Sequence, residues 1–233
     1  MSTYQQLHIT SDTLLRAYRL GLFPMGESAG DPTIHWVDPE KRGIIPLPNF
    51  HVPRSVQKIL RRKPFSISVD QNFYGVLQAC ANKTLDRPNT WINSEIIELY
   101  MELFESGNAH SVECWTDGEL IGGLYGVTIG AAFFGESMFS IAPNSSKVAL
   151  VHLVERLRLG GFRLLDTQFV TDHLRRFGAV EISREDYLRL LTAALSKEAN
   201  FYSFDIVEGN GSIVTDGTLA EAAGEKQSST MTS

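Results

Sequence analysis

The sequence is short of the features that would place it in a specialised class. It holds two cysteines, Cys80 and Cys114, with no CxxC pair and no clustered histidines. That argues against a disulfide framework or a structural zinc, and fits a reducing, cytoplasmic setting. No apolar run approaches the ~20 residues that span a bilayer. The opening MSTYQQLHITSD lacks the basic and apolar regions of a signal peptide. Positive charge is not in excess: the formal net charge is −6. Any nucleic-acid contact would therefore need a local basic patch. GxGxxG and GxxxxGK[ST] are absent, the GxSxG string GESAG at 26–30 lies in a Pro- and Gly-rich stretch and makes no nucleophile elbow, and His8, His35, His51, His110, His152 and His173 are scattered. Ser/His/Asp catalysis, phosphate cradles and metal hydrolysis thus have no support.

What remains is an ordinary globular composition, 43% hydrophobic and 21% charged over 233 residues, enough for one large domain or two modest ones. Leu14, Leu15, Tyr18 and Leu22 fall at helical spacing behind Ser11 and Asp12, either of which can cap. The Pro-, Gly- and Asp-rich stretch that follows reads as an ordered loop around Phe23, Met25 and Trp36. Residues 1–43 then form a small N-terminal domain and 44–208 a larger one. In the latter, IIPLPNF reads as a strand and PRSVQKILRRK as a helix. Val56, Ile59 and Leu60 face inward, and Arg54, Lys58, Arg61, Arg62 and Lys63 make a basic surface. FSISVD is strand-like; NFYGVLQACA and SEIIELYMELFESG are helical.

The apolar period then changes from 3.6 to 2. Three strand-like runs end in FFGESMFS, with Asp117-Gly118 at a hairpin turn. Asn144-Ser145-Ser146 opens a helix that Gly160-Gly161 stops. Next come the strand FRLLDTQF, a short helix capped by Thr171, the helix REDYLRLLTAALS, and FYSFDIV as a last edge strand. Residues 209–233, polar and poor in aromatics, read as a disordered tail. Strand, helix, strand after a meander is the core order of the N-acyltransferase (GNAT) fold. The expected class is α+β, a mixed sheet with flanking helices.

Two places carry unexpected polarity. In FRLLDTQF, strand alternation puts Asp166 and Gln168 on one face of an apolar run. They are either a strand end reaching water or a dyad held in a pocket. In FFGESMFS, Glu136 lies among Phe133, Phe134, Met138 and Phe139. Alternation sets it beside Ala132, Phe134, Met138 and Ser140; buried there, an acid needs a partner such as a bound cation. The glycines of GGLYGVTIG read as strand positions that allow close approach.

Together LLRAYRLGLFP, NTWI, GNAHSVECW, GELIGGLYGV, FFGESMFS, NSSKVAL, LLDTQF and FGAVEISREDYL make the chain resemble the leucyl/phenylalanyl-tRNA–protein transferase family. The resemblance runs from about residue 13 to about 190. It implies a small N-terminal domain on a GNAT-like domain, and transfer of Leu or Phe, or Met, from charged tRNA. The acceptor would be the α-amine of a protein beginning with Arg or Lys, marked thereby for N-degron degradation. No metal, CoA or ATP is implied. Asp166 and Gln168 would act at the attacking amine, and Glu136 would bind the α-ammonium of the transferred residue. Leu124, Phe133, Met138, Leu150, Leu153 and Leu165 would line the side-chain pocket. Trp91 and Tyr100 would stack on the terminal adenosine, and the basic helix would seat the acceptor stem. Two departures stand out: Met25 where the family commonly has an aromatic, and Thr171 where Asn is usual. A CoA-dependent N-acyltransferase is the nearest alternative, but its pyrophosphate loop needs glycines that IAPNSSKVAL lacks. A non-catalytic module binding tRNA or degron N-termini is the other.

Overall fold

A computed structural model of the chain describes residues 9–26, 33–82 and 90–208; the expected tail at 209–233 lies outside them. Helix α1 spans Ser11–Arg19, and the cap is Thr10, one residue before the expected pair, its side chain accepting from the Thr13 amide. Leu14, Ala17 and Tyr18 form its buried face. The stretch expected to be a loop holds an antiparallel hairpin, β1 (Phe23–Gly26) on β2 (Ile34–Val37). Four-residue strands containing Pro24 and Gly26 leave too little alternation to be read in advance.

The main sheet has seven strands: β3 (Lys41–Ile44), β4 (Ser66–Val69), β5 (Ala109–Thr116), β6 (Glu119–Ile129), β7 (Ala132–Ser140), β8 (Leu164–Gln168) and β9 (Val180–Ser183). Their order is β4-β5-β6-β7-β8-β3-β9. Strand β3 sits between β8 and β9 and spans the expected boundary at 43/44. Among the described strands only β7 and β8 run parallel, joined by the crossover helix α5 (Ser145–Leu159). Asp117 and Gly118 both take positive φ, as the hairpin turn between β5 and β6 requires. Helices α1, α3 (Phe73–Ala81), α4 (Ser94–Glu105) and α7 (Arg184–Leu195) cover one face over the core of Tyr18, Phe73, Tyr100, Phe134 and Tyr187. Helices α2 (Arg54–Arg62), α5 and α6 (Asp172–Arg175) cover the other, over Val56, Phe133, Leu150, Leu165 and Phe177. The α+β expectation of a mixed sheet with flanking helices is therefore met. No described helix is long and apolar enough to cross a membrane.

Three local expectations fail. IIPLPNF ends its strand at Ile44 and turns as a 3₁₀ segment at Leu47–Asn49, because its prolines cannot donate to a ladder. VEIS, where Val180 is expected to end the short helix and the other residues have no expected element, is β9, made a strand by pairing with β3. FYSFDIV is helical in part, α8 (Ser203–Glu208), tied down by Arg156 rather than by a strand partner: its guanidinium donates to Asp205 at 2.6 and 2.8 Å and to the Phe201 carbonyl.

Candidate active site

A cavity of about 610 Å³ opens between β7, the end of β8, α5 and the β1 hairpin. Leu124, Met138, Leu150, Leu153 and Leu165 line it as expected, joined by Leu174. Trp91, Phe23, Met25, Phe139 and Phe169 add apolar surface. The polar groups include Glu136, Gln168, Thr171 and His173.

Glu136 reaches this cavity through a bulge. Tyr125 faces Ser137 and Gly126 faces Gly135 across β6 and β7, which leaves Glu136 as the extra residue. A bulge reverses the alternation that follows it. Phe134 accordingly packs in the α1/α3 core whereas Met138 lies against the α5 core, so the expected sharing of one face by Phe134 and Met138 is corrected. Gly126 permits this: a β-carbon there would stand 2.3 Å from the Phe134 carbonyl and 2.4 Å from the Phe133 ring. That same contact buries Phe133 beneath β6 with no exposure, and it does not line the cavity.

Around Glu136 the proton count is informative. Tyr18 Oη lies 2.7 Å from one carboxyl oxygen, Tyr100 Oη 2.9 Å from the other, and the two hydroxyls are 2.6 Å apart. Two hydroxyl protons cannot fill three such contacts. Both hydroxyls donate to the ionised carboxylate, and a proton taken up by Glu136 would supply the third contact and close the ring. Burial points the same way: it is the main cause raising the Glu136 pKa to about 7, against the lowering effect of the tyrosine hydrogen bonds. Gln168 Nε2 also donates to Glu136, at 3.1 Å. Tyr100 is thus held with no exposure inside the core. It cannot stack on a nucleoside, and that expectation is corrected.

A folded-state pKa above the ordinary value means the proton binds more tightly in the folded chain. The stabilisation is complete below about pH 4.5 and is lost as pH rises to about 7. Relative to Glu136→Gln, which does not titrate, the wild type should lose stability across that window, as urea melts at successive pH values would show. A constant difference would contradict the buried, raised carboxyl.

Asp166 does not face the cavity. Its carboxylate accepts Arg42 Nε at 3.0 Å and Arg42 Nη2 at 2.7 Å, the Tyr187 hydroxyl at 2.7 Å and the Gln168 backbone amide at 2.8 Å. Arg42 and Asp166 are 1% and 0% exposed. Burial opposes the Arg42 charge, but its hydrogen bonds and charge pairing with Asp166 more than offset this. The guanidinium lies between the Phe23 and Tyr187 rings, 4.4 and 4.6 Å from their centres. The expected side-by-side dyad is corrected: Asp166 holds Gln168 by its backbone, not its side chain. Gln168 has φ 55°, a left-handed conformation uncommon outside glycine, and this turns its side chain to Glu136. Gly43 lets the strands close over this turn, since a β-carbon there would meet the Phe169 backbone at 2.8 Å.

The basic residues Arg54, Lys58, Arg61, Arg62 and Lys63 are exposed on and just after α2, outside the cavity lining. Among the described residues no three His, Cys, Asp or Glu side chains gather as a metal would require. Sequence reasoning missed Arg42, Tyr18 and Tyr187, each a partner to a group it had found.

The family profile described as leucyl/phenylalanyl-tRNA protein transferase matches residues 44–192, and that described as its N-terminal domain matches residues 8–40. A protein of Paramagnetospirillum magneticum named leucyl/phenylalanyl-tRNA–protein transferase is 60% identical over 193 residues, 83% of this chain and 92% of its own length. Among solved structures, that of L-PGS from Bacillus licheniformis aligns with a TM-score of 0.44 and 12% identity, over 68% of this chain and 66% of that one.

Proposed function

The chain belongs to the leucyl/phenylalanyl-tRNA protein transferase family, and on that premise we propose which groups carry the transfer and for which substrates. The enzyme moves an aminoacyl group from tRNA to a protein. The donor residue is Leu or Phe, with Met a third candidate, and its side chain enters the apolar part of the cavity. The acceptor is the α-amine of a chain beginning with Arg or Lys, carried over from the resemblance, and the product is an N-degron. A cytoplasmic site of action follows from that donor and that fate.

One observation carries the mechanism: the Glu136–Gln168 pair at the edge of an apolar cavity. An aminoacyl ester is already activated, so transfer needs alignment and polarisation rather than a cofactor. The acceptor nitrogen attacks the ester carbonyl carbon, the carbon–oxygen bond to the ribose breaks, and the ribose oxygen leaves with the amine proton. With its Nε2 given to Glu136, Gln168 presents its Oε1 to accept a hydrogen bond from the attacking amine. Ionised Glu136 binds the α-ammonium of the donor residue. Asp166 positions Gln168 and does not touch the amine. Trp91 and Phe169, the latter 46% exposed, offer the faces on which the terminal adenosine stacks, and α2 contacts donor phosphates.

Transfer from Leu-, Phe-, Met-, Ile- and Val-tRNA to peptides beginning with Arg, Lys or Ala tests the reading. The cavity walls favour side chains unbranched at Cβ, with Arg and Lys acceptors. Leu153→Phe narrows the cavity and should cut Phe transfer about tenfold more than Leu transfer. Equal use of Val and Phe, or an unchanged ratio in the variant, would remove the assignment of this cavity.

A further inference from the structure

Beside the aminoacyl cavity lies a second one of about 290 Å³. Its walls include Ser55 near the start of α2, Lys147 on α5, and Asp172, His173 and Arg176 on and just after α6. His173 lines both cavities. The surroundings are positive. Lys147 Nζ donates at 2.7 Å to the neutral Asn144 side chain. Arg176 is exposed and makes no ion pair among the described residues. Both cations stand close enough to the His173 ring to depress its pKa, after burial as the main cause. The one carboxylate in the wall, Asp172, is fully exposed, with its nearest cation, Arg175, at 4.0 Å. Helix α2 starts at this wall with Pro53 as its cap, no side-chain hydrogen bond to its first amides and no acid in its first turn. Its free amides and dipole add positive potential. Two uncompensated cations around a small cavity specify an anion rather than an apolar or cationic ligand.

We propose that this second cavity holds the phosphodiester that precedes the 3′-terminal nucleoside of the donor RNA, with Lys147 and Arg176 as its partners. The assignment rests on the transferase reading. The shared His173 places the phosphate one step from the aminoacyl ester, and Arg54, Lys58, Arg61 and Arg62 continue the basic surface along α2. A contact to the backbone fixes register without reading sequence, which suits a donor strand whose reacting end must meet Glu136 and Gln168 in one position.

The test compares two minimal donors, the leucyl ester of adenosine and that of cytidylyl-3′,5′-adenosine, with intact Leu-tRNA as a third. Each is offered to the wild type and to the Lys147→Ala/Arg176→Ala double variant, with an Arg-initiated peptide as acceptor. The wild type should use the dinucleotide ester with a kcat/KM about tenfold or more above the adenosine ester. The variant should lose that advantage while keeping the adenosine-ester rate, which also shows that it is folded. With Leu-tRNA, log kcat/KM against log salt should become shallower by about 0.7 in the variant, the value for one single-strand phosphate. A retained dinucleotide advantage, no advantage in the wild type, or loss on both donors in step would overturn the phosphate site. If only Leu-tRNA is a substrate, an unchanged salt slope overturns it. A wild type that transfers from none of the three donors overturns the transferase reading instead.

Discussion

Arg42→Ala should lower stability by about 3–5 kcal/mol, a large share of the ~5–15 kcal/mol available to a domain. Among the described residues the guanidinium is the sole cation bonded to Asp166, a carboxylate with no exposure. Truncation leaves that charge buried with only the Tyr187 hydroxyl and the Gln168 amide as donors. It also removes the donor to the Gly21 carbonyl and the cation between two aromatic rings. Urea unfolding measures the effect. The double variant Arg42→Met/Asp166→Leu is the control: replacing both ends of a buried pair with apolar groups is often near neutral. It should recover most of the stability while transfer stays low, because nothing then holds the Gln168 backbone. Full stability in Arg42→Ala would show that the network is not what ties β3 to β8 at the site.

Gln168→Ala should lower kcat about 10²–10³-fold, the usual cost of removing one preorganised donor or acceptor at a reacting centre, with donor binding little changed. The backbone provides a discriminating companion. At φ 55° a non-glycine residue carries about 1–2 kcal/mol of strain that glycine does not. Gln168→Gly should therefore be more stable than Gln168→Ala and equally slow. If loss of activity followed stability instead, with the glycine variant faster than the alanine one, Gln168 would be a structural residue. Steady-state transfer at varied Leu-tRNA separates kcat from KM and decides it.

Much of this arrangement was legible in the residues and some was not, for identifiable reasons. The meander, the crossover helix and the strand after it follow from periodicity and turn residues, which act locally. The pocket leucines were found because α5 and its facing strands repeat with clean spacing. Glu136 and Gln168 stood out as polar groups in apolar runs. What failed depended on departures from ideal geometry or on distant partners. The bulge at Glu136 reverses one face of β7, so Phe134 and Met138, which plain alternation puts on one face, lie on two, and Phe133 is sealed beneath β6 by its packing against Gly126. Tyr100 looked available for stacking; only its contact with Tyr18, 82 positions away, shows it to be buried. Asp166 seemed to belong to the amine, and its engagement by Arg42, 124 positions away, carries no local signal. The left-handed turn at Gln168 replaces the alternation that a straight strand would impose.

The most direct measurement mixes the purified chain with Leu-tRNA and an Arg-initiated peptide, without CoA or ATP, and follows peptide mass. One added leucine on the peptide's N-terminus is expected from the wild type, and none on the same timescale from Gln168→Ala with Leu-tRNA binding intact. No added residue from Leu-, Phe- or Met-tRNA, on either Arg or Lys acceptors, would contradict the assignment and leave a protein that binds such ends without joining them.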